Sequence, residues 1–444
     1  MSRPASWLAL ALVTCACAGA ASETTRPTPH VAPLAVETTA LPVGTDADPG
    51  VAPEPAPETR AEWVAPSAVG TSPEGNLLPQ FPRFFSSLLH LTQGARSTPV
   101  RIAWLGDSHT QPDIWTHAVR APLQDRFGTG GPGFVHVGWK KWGYRHAGAD
   151  LSVEGQWRIE PPRLLAVEPY DDGVLGLGGV RLVPRRGASA AVHAKPGVLP
   201  AAARWELTVR FPRGRGALRV VPSEGDPVAI AARQGSDGLQ HISWMTRGPG
   251  GGFSVEATDE GAELFGVVVE SEEAPGVVLD VLGLNGARVV HALGWDDAAW
   301  RACMQRRQHD LVVLAYGTNE AGIRELSMEG HAAELVRLLD RVRAASPHAD
   351  CLIIGTMDRG GVTMSEKVER LNGAQEAAAK ARGCAFWSAQ RAMGGKGSMQ
   401  KWLDAEPPMA MGDRVHLHVR GYQRLGSMLS RDILRAYDEG SHER

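Results

Sequence analysis

The stretch Val100-Arg-Ile-Ala-Trp-Leu-Gly-Asp-Ser-His-Thr110 decides the fold that we predict for this chain. It opens on an apolar run that only Arg101 interrupts. The β-branched and aromatic side chains of this run are typical of a buried strand in a parallel sheet. Gly106 breaks the run, and Asp107-Ser108-His109 follow where a strand passes into a helix. Ser108 therefore stands at the carboxyl end of a strand, the edge of an open α/β sheet at which ligands bind. The alternative interpretation is an ordinary turn with a serine helix cap.

Further apolar runs alternate with helical patterns along the rest of the chain. Strands are predicted at 277–284, 310–316, 351–356 and 384–387, and helices at 115–127, 329–345, 363–381 and around Tyr422 to Ile433. Thr363-Met-Ser-Glu366 has the spacing of a capping box that opens the third of these helices. Alternating strands and helices predict an α/β domain with a parallel sheet and crossover connections.

The character of the sequence changes between residues 146 and 276. Strand-like segments such as Trp205 to Phe211 and Leu264 to Glu270 are separated by short Gly, Pro and Asp turns, without a convincing amphipathic helix. This pattern predicts a β-sandwich. Because helical and parallel-strand patterns lie on both sides of it, we interpret 146–276 as an all-β domain inserted between a first part, 76–145, and a second part, 277–444, of one α/β domain.

The N-terminal residues predict export. A basic residue, a short apolar run and small residues make 1–21 a secretory signal. Cys15 and Cys17 stand among small residues as in a bacterial lipobox, so we expect a lipid-anchored protein of the periplasm or outer envelope. The alternative is cleavage near Ala18 to Ala21 and release as a free protein. Residues 22–75, rich in Pro, Ala and Thr, predict a disordered tether.

Composition restricts the partners that we expect. The 444 residues carry a formal net charge of -3, which gives no reason to expect nucleic acid, and membrane contact is expected only through an N-terminal lipid. The chain has 13 tryptophans against 5 tyrosines, which is consistent with stacking on sugar rings or with ordinary core packing. Beyond the signal, Cys303, Cys351 and Cys384 remain, so at least one thiol is expected to lack a partner within the chain.

Four polar positions lie beyond predicted strand ends or in a late loop: Ser108, Gly286, Asn319 and the pair Asp413 and His416. A serine nucleophile needs a general base, and the base needs a partner that fixes its tautomer. Asp413 and His416 are three residues apart and can meet over one turn. The backbone N–H groups of Ser108 and Gly286 and the side-chain amide of Asn319 are candidate donors to an oxyanion.

In this order, Gly106-Asp107-Ser108, Asn285-Gly286, Gly317-Thr-Asn319 and Asp413-x-x-His416 resemble the motifs of the SGNH (GDSL-type) hydrolase superfamily. The resemblance implies a flavodoxin-like three-layer α/β/α fold and ester hydrolysis without a metal or other cofactor. It implies that Ser108 is the nucleophile, His416 the base and Asp413 its orienting residue, with Ser108, Gly286 and Asn319 forming the oxyanion hole.

The sequence departs from the superfamily pattern at two positions. His109 replaces the usual Leu, and Glu320 replaces the usual Asp. Asp107 and His109 are candidate pocket residues, although Asp107 also suits a helix N-cap. His416-x-His418 together with Asp413 offers an alternative metal site, but no further ligand cluster accompanies it, and we expect no metal.

A narrower resemblance suggests the substrate. A superfamily body split by a β-sandwich, followed by Asn285-Gly-Ala and a late Ala392-Met-Gly-Gly-Lys-Gly-Ser-Met399, is similar to bacterial peptidoglycan O-acetylesterases with an inserted carbohydrate-binding-like domain. We therefore expect a serine esterase of the cell envelope that removes O-acetyl groups from a glycan. The alternatives are an O-acetyltransferase, an esterase acting on another acetylated polysaccharide or on a lipid, and a non-catalytic glycan-binding protein.

Overall fold

The computed structural model describes residues 36–37, 69–139, 143–161, 171–199, 202–233 and 237–441. The predicted signal, with Cys15 and Cys17, and most of the predicted tether lie outside these residues. Within the tether range, Thr71 already forms a β-bridge with Leu77, and a two-residue strand lies at Val36–Glu37. Of the helices that the structure describes, none is long and apolar enough to cross a membrane.

The structure contains the predicted strands and helices, together with further elements that the sequence periodicity does not predict; among these are two helices in the segment that carries Trp295 and Trp300. The strands are β1 Val36–Glu37, β2 Val100–Gly106, β3 Gly133–Val135, β4 Ala149–Glu154, β5 Trp157–Glu160, β6 Arg181–Pro184, β7 Ser189–Ala194, β8 Ala203–Arg210, β9 Ala217–Pro222, β10 Val228–Ala231, β11 Gln240–Thr246, β12 Gly252–Asp259, β13 Glu263–Ser271, β14 Val277–Gly283, β15 Leu311–Ala315, β16 Asp350–Gly355 and β17 Ala385–Ser388. The α-helices are α1 Pro82–Thr92, α2 Trp115–Phe127, α3 Val289–Leu293, α4 Asp297–Arg307, α5 Thr318–Ala321, α6 Met328–Ala345, α7 Val362–Ala381, α8 Ala389–Met393, α9 Ser398–Leu403 and α10 Val419–Ser441.

A five-stranded parallel sheet in the order β14-β2-β15-β16-β17 forms the centre of the α/β body. Side chains alternate along β2, so that Ile102 and Trp104 pack with α1, α2 and α10 on one face. Ala103 and Leu105 pack with α3, α4 and α6 on the other face. The predicted three-layer α/β/α arrangement with a parallel sheet is confirmed.

The inserted domain is a pair of antiparallel sheets. One has the order β1-β11-β8-β13-β6-β5, with β3 added on β13, and the other has the order β10-β9-β12-β7-β4. Buried side chains of both sheets, such as Trp205 and Val255, share one apolar core. The predicted β-sandwich insertion is confirmed. Its sheet also recruits β3, which precedes residue 146, because β3 pairs with β13 over Gly133 to Val135.

An ion-pair network joins the insert to the α/β body. Glu270 on β13 accepts hydrogen bonds from Arg101 on β2 and Arg307 on α4, each at 2.7 Å. Arg307 also donates to Asp280 on β14 at 2.8 Å, and His309 Nε2 lies 2.8 Å from the same carboxylate. Although burial raises the pKa of Asp280, the neighbouring Arg307 and His309 hold it well below its usual range. This network fixes the insert against β2, the strand that leads into Ser108.

Three local features qualify the sequence analysis. Helix α7 begins at Val362 with Gly361 as its cap residue, so the predicted capping box is wrong. Within the first turn, the Ser365 hydroxyl donates to Asp358.

Cys351 and Cys384 form a disulfide across the edge of the parallel sheet, and Cys303 is a buried free thiol. Most described tryptophans are buried in the cores, which favours packing over sugar stacking: Trp104, Trp115, Trp139, Trp205, Trp244, Trp295, Trp300, Trp387 and Trp402.

Candidate active site

Three side chains that are far apart in sequence form a hydrogen-bonded chain beyond the carboxyl end of β2. Ser108 Oγ lies 2.9 Å from His416 Nε2, and His416 Nδ1 lies 2.7 Å from Asp413 Oδ2. One tautomer of His416 satisfies both contacts, because Nδ1–H donates to the carboxylate while the Nε2 lone pair accepts from the Ser108 hydroxyl. This arrangement can activate the serine hydroxyl as a nucleophile.

The loop between α9 and α10 builds the base and its partner. Asp413 Oδ1 accepts the backbone N–H groups of Val415 and His416, both at 2.9 Å. Partial burial raises the pKa of Asp413, but these bonds and the His416 side chain outweigh it and lower the pKa below its usual value. Asp413 is therefore ionised at neutral pH and can stabilise a protonated His416.

The turn after β2 sets the position of Ser108. The backbone N–H groups of Thr110 and Gln111 both donate to the Asp107 carbonyl at 3.1 Å. A Cβ on Gly106 would approach Thr110 Oγ1 to 2.2 Å, so only glycine fits this close turn. The turn leaves Ser108 half-buried, with its hydroxyl directed to His416.

The three candidate oxyanion donors lie just after three adjacent strands, β2, β14 and β15; Asn319 is in the short helix α5. Asn319 Nδ2 donates one hydrogen to the Ala287 carbonyl at 2.9 Å, which fixes the amide and leaves its second hydrogen available. Gly286 has φ +79, and a Cβ there would meet no atom within 4 Å. Among the described residues, no hydrogen bond engages the N–H of Ser108 or Gly286. These donors are available to an oxyanion at this sheet edge.

Asp107 and His109 support the site from within instead of lining an open pocket, since they are only 1% and 3% exposed. His109 Nδ1 lies 2.8 Å from the Tyr422 hydroxyl, and its ring packs 5.3 Å from that of His416. Tyr422, on α10, thus holds the residue that follows Ser108. Burial lowers the pKa of His109 to about 4, so its imidazole is neutral at neutral pH.

Glu320 fastens the loop that carries Gly286. Its Oε1 accepts the backbone N–H of Val289 at 2.8 Å, and its Oε2 is buried without a hydrogen-bond partner among the described residues. Burial raises the pKa of Glu320 to about 7, and the neighbouring Asp107 carboxylate acts in the same direction. The bond from Val289 to Glu320 and the bond from Asn319 to Ala287 together hold the segments after β14 and β15 in a fixed relative position.

The sequence does not identify Tyr422 and Arg359 as residues of the site. Tyr422 is predicted only as part of a helix, and nothing in its spacing indicates the contact with His109. Arg359 follows β16, and its Nη1 donates to the Thr318 carbonyl, next to Asn319. Its position after a parallel strand was the available signal, because the carboxyl ends of such strands share one edge.

The alternative metal interpretation was based on His416, His418 and Asp413. His418 is exposed, and its backbone N–H donates to the Met409 carbonyl at 2.8 Å. Within the described ranges, no group of three or more His, Cys, Asp or Glu side chains is placed to hold a metal ion. The chemistry that the geometry supports is that of Ser108, His416 and Asp413.

Comparisons with known proteins give the same class. Residues 245–424 match the GDSL-like Lipase/Acylhydrolase family. A solved structure of a peptidoglycan O-acetylesterase is similar, with 26% identity and a TM-score of 0.67 over 80% of this chain and 96% of that one. A comparison with curated proteins gave no match.

Two further solved structures are more distant. A family two carbohydrate esterase from Cellvibrio japonicus has 11% identity and a TM-score of 0.28 over 66% of this chain and 99% of its own. One from Clostridium thermocellum in complex with cellohexaose has 10% identity and a TM-score of 0.28 over 59% and 95%. The match over residues 245–424 and the first of the solved structures show that this chain contains a GDSL-like hydrolase domain.

Proposed function

We propose that this protein is an O-acetylesterase that removes O-acetyl groups from peptidoglycan in the cell envelope. The observation that carries the proposal is the hydrogen-bonded chain from Ser108 through His416 to Asp413. The choice of substrate is supported by the likeness to a peptidoglycan O-acetylesterase, which extends over 80% of this chain.

The reaction divides into acylation and deacylation. In acylation Ser108 Oγ attacks the acetyl carbonyl carbon while His416 Nε2 takes the hydroxyl proton. The oxyanion accepts hydrogen bonds from the N–H groups of Ser108 and Gly286 and from the Asn319 amide. Protonated His416, stabilised by Asp413, then gives its proton to the leaving sugar oxygen. In deacylation His416 activates a water that releases acetate and restores Ser108.

The exposure of the site fits a polymeric substrate. The side chains of His416 and Asp413 are 35% and 48% exposed, so the base lies at the surface. A glycan chain can reach such an open site without threading into a closed cavity. We also propose export to the envelope: the Cys351–Cys384 disulfide supports it, since disulfides persist in oxidising compartments and are rare in the cytosol.

Acetate release from a matched pair of polymers tests this function. Purified protein is incubated with O-acetylated peptidoglycan and, separately, with acetylated xylan, and the acetate released is measured enzymatically. We expect faster release from peptidoglycan, and we expect Ser108→Ala to abolish release from both polymers while the circular dichroism spectrum stays unchanged. Equal or faster release from xylan would refute the assignment of peptidoglycan, and substantial turnover by Ser108→Ala would refute the mechanism.

A further inference from the structure

The residues that follow β14 form a tight turn that carries the oxyanion donor Gly286. The Ala287 N–H donates to the Leu284 carbonyl at 3.0 Å, which closes a four-residue turn with Asn285 and Gly286 at its centre. Gly286 has φ +79, as is typical of the third residue of a type II turn. Type I and type II turns differ in the ψ angle of the second residue, which rotates the central peptide by roughly 150°. The direction of the Gly286 N–H therefore depends on what holds this one peptide.

The side chain of Gln111 holds the turn at its second residue. Its Oε1 accepts the backbone N–H of Asn285 at 2.8 Å, so the bond lies one residue before Gly286. The Gln111 backbone N–H in turn donates to the Asp107 carbonyl, within the turn that positions Ser108. One buried residue therefore joins the turn of the nucleophile to the turn of the oxyanion donor.

The ends of β2 and β14 lie in close contact at this junction. A Cβ on Gly283 would lie 2.3 Å from the Gln111 nitrogen and 2.6 Å from the Thr110 carbonyl carbon, so only glycine fits there. The Leu284 N–H also donates to the Gly106 carbonyl at 3.0 Å. Because the two segments are in close contact and Gln111 is buried between them, its side chain is confined at the junction.

A different side chain holds the far end of the turn. Asn319 Nδ2 donates to the Ala287 carbonyl at 2.9 Å. Gln111 and Asn319 thus engage the turn before and after Gly286, whose own N–H has no hydrogen-bond partner among the described residues. Backbone N–H groups that are removed from water are nearly always paired, so this donor suits an acceptor that the substrate supplies. The oxyanion of the proposed reaction is such an acceptor.

We propose that Gln111 is a positioning residue of the oxyanion hole. By accepting the Asn285 N–H, it holds the Asn285–Gly286 peptide in the orientation that presents the Gly286 N–H to the oxyanion. This inference rests on the proposed function, because it adds a residue to the same site. An oxyanion donor acts in the transition state and not in the ground state, so loss of its orientation lowers kcat and leaves KM nearly unchanged.

Two substitutions of Gln111 test the bond. Gln111→Met keeps the length of the side chain and removes the amide, while Gln111→Asn keeps the amide but is one methylene shorter, so it does not reach Asn285. With 4-nitrophenyl acetate, we expect each to lower kcat by roughly tenfold to hundredfold, since displacement or loss of an oxyanion donor has effects of this order. KM should stay near the wild-type value, and acetate release from O-acetylated peptidoglycan should slow to the same extent. Either variant suffices if the other does not fold.

The matched control is Gln124→Met at the opposite end of β14. Gln124 Nε2 donates to the Val277 carbonyl at 2.8 Å, so this variant also loses a glutamine hydrogen bond to the β14 segment. We expect it to keep the wild-type kcat even where it lowers the Tm. A purely structural role of Gln111 would give the same result, a lower Tm with a wild-type kcat of the folded protein, and would refute the positioning role.

A double variant tests whether Gln111 acts through Gly286. In Gly286→Ala the new Cβ meets no atom within 4 Å, so the main effect is strain at the positive φ, which releases the same peptide. If both residues control one N–H, Gln111→Met with Gly286→Ala should lose no more kcat than the more impaired single variant. Losses of kcat that multiply would show that Gln111 acts by another route and would refute the proposal.

The outcomes separate this inference from the proposed function. Esterase activity in the wild-type protein, with kcat unchanged in both Gln111 variants, would refute the positioning role and leave the esterase assignment intact. A loss that appears in KM with kcat unchanged would also refute it, because the bond would then serve substrate binding. No turnover of either substrate by the wild-type protein would overturn both the proposed function and the inference.

Discussion

Replacing Glu320 by Gln removes a buried acid and keeps an acceptor for the backbone N–H of Val289. In the wild-type protein that contact is 2.8 Å long, and the second carboxyl oxygen is buried without a partner in the described part of the chain. Glutamine is nearly isosteric with glutamate and has no ionisable group. The two proteins should therefore differ chiefly in how their stability depends on pH.

The magnitude follows from the pKa of Glu320. Burial raises it from about 4.5 to about 7 in the folded state. At about 1.4 kcal/mol per pKa unit, this is roughly 3 kcal/mol. Because the folded pKa is above the unfolded one, the folded state binds the proton more tightly, so stability is lost as pH rises. We expect the loss in the wild-type protein to begin near pH 4.5 and to be complete above pH 7.

The assay is urea denaturation of both proteins across this pH range. We expect the free energy of unfolding of Glu320→Gln, relative to wild type, to increase by about 3 kcal/mol between pH 4.5 and pH 7. Glu369→Gln, at an exposed position of α7, is the matched control and should follow the wild-type curve. Parallel curves for wild type and Glu320→Gln would refute the argument that burial of this carboxyl raises its pKa.

Three further predictions concern the oxyanion hole, the base and the disulfide. Asn319→Ala should lower kcat for 4-nitrophenyl acetate by about 10²–10³, as loss of one oxyanion donor does, and a loss below about tenfold would exclude Asn319 as a donor. Tyr422→Phe, which removes the hydroxyl that hydrogen-bonds His109 beside the nucleophile, should destabilise the protein by about 1–3 kcal/mol and lower kcat; a wild-type unfolding curve would contradict this. Cys384→Ser opens a bridge to Cys351 with a sequence separation of 33 and should lower stability by about 2–4 kcal/mol. Reduction of the wild-type protein should give the same shift in Tm, and an unchanged Tm would contradict the prediction.

Sequence periodicity predicted the parallel sheet of the α/β body and the all-β insertion, while the three-layer arrangement was implied by the resemblance to the SGNH superfamily. Side chains alternate between two apolar faces along β2, and leucines repeat at helical spacing along α6, so each element records which of its faces is buried. The switch from helical to short strand-like segments likewise marked the insert. The sequence does not show where the sheets of the insert begin, because β3 joins them through backbone pairing with β13. Such pairing leaves no pattern in the side chains.

The residues of the candidate site were named from sequence because local rules apply to each of them. Ser108, Gly286 and Asn319 follow strand ends, and Asp413 lies one turn before His416. Contacts between distant segments had no such local signal. The burial of His109 against Tyr422 and the buried carboxyl of Glu320 arise only when separate loops pack together.

The stretch from Val100 to Thr110 thus determined by itself a strand, a close turn and a serine at the edge of a sheet. Only the tertiary structure placed His416 Nε2 at 2.9 Å from Ser108 and the Arg359 guanidinium against the Thr318 carbonyl, next to Asn319. The physical reason is that periodicity encodes which side of an element is buried. Hydrogen-bond distances depend instead on which residues the rest of the chain brings to that place.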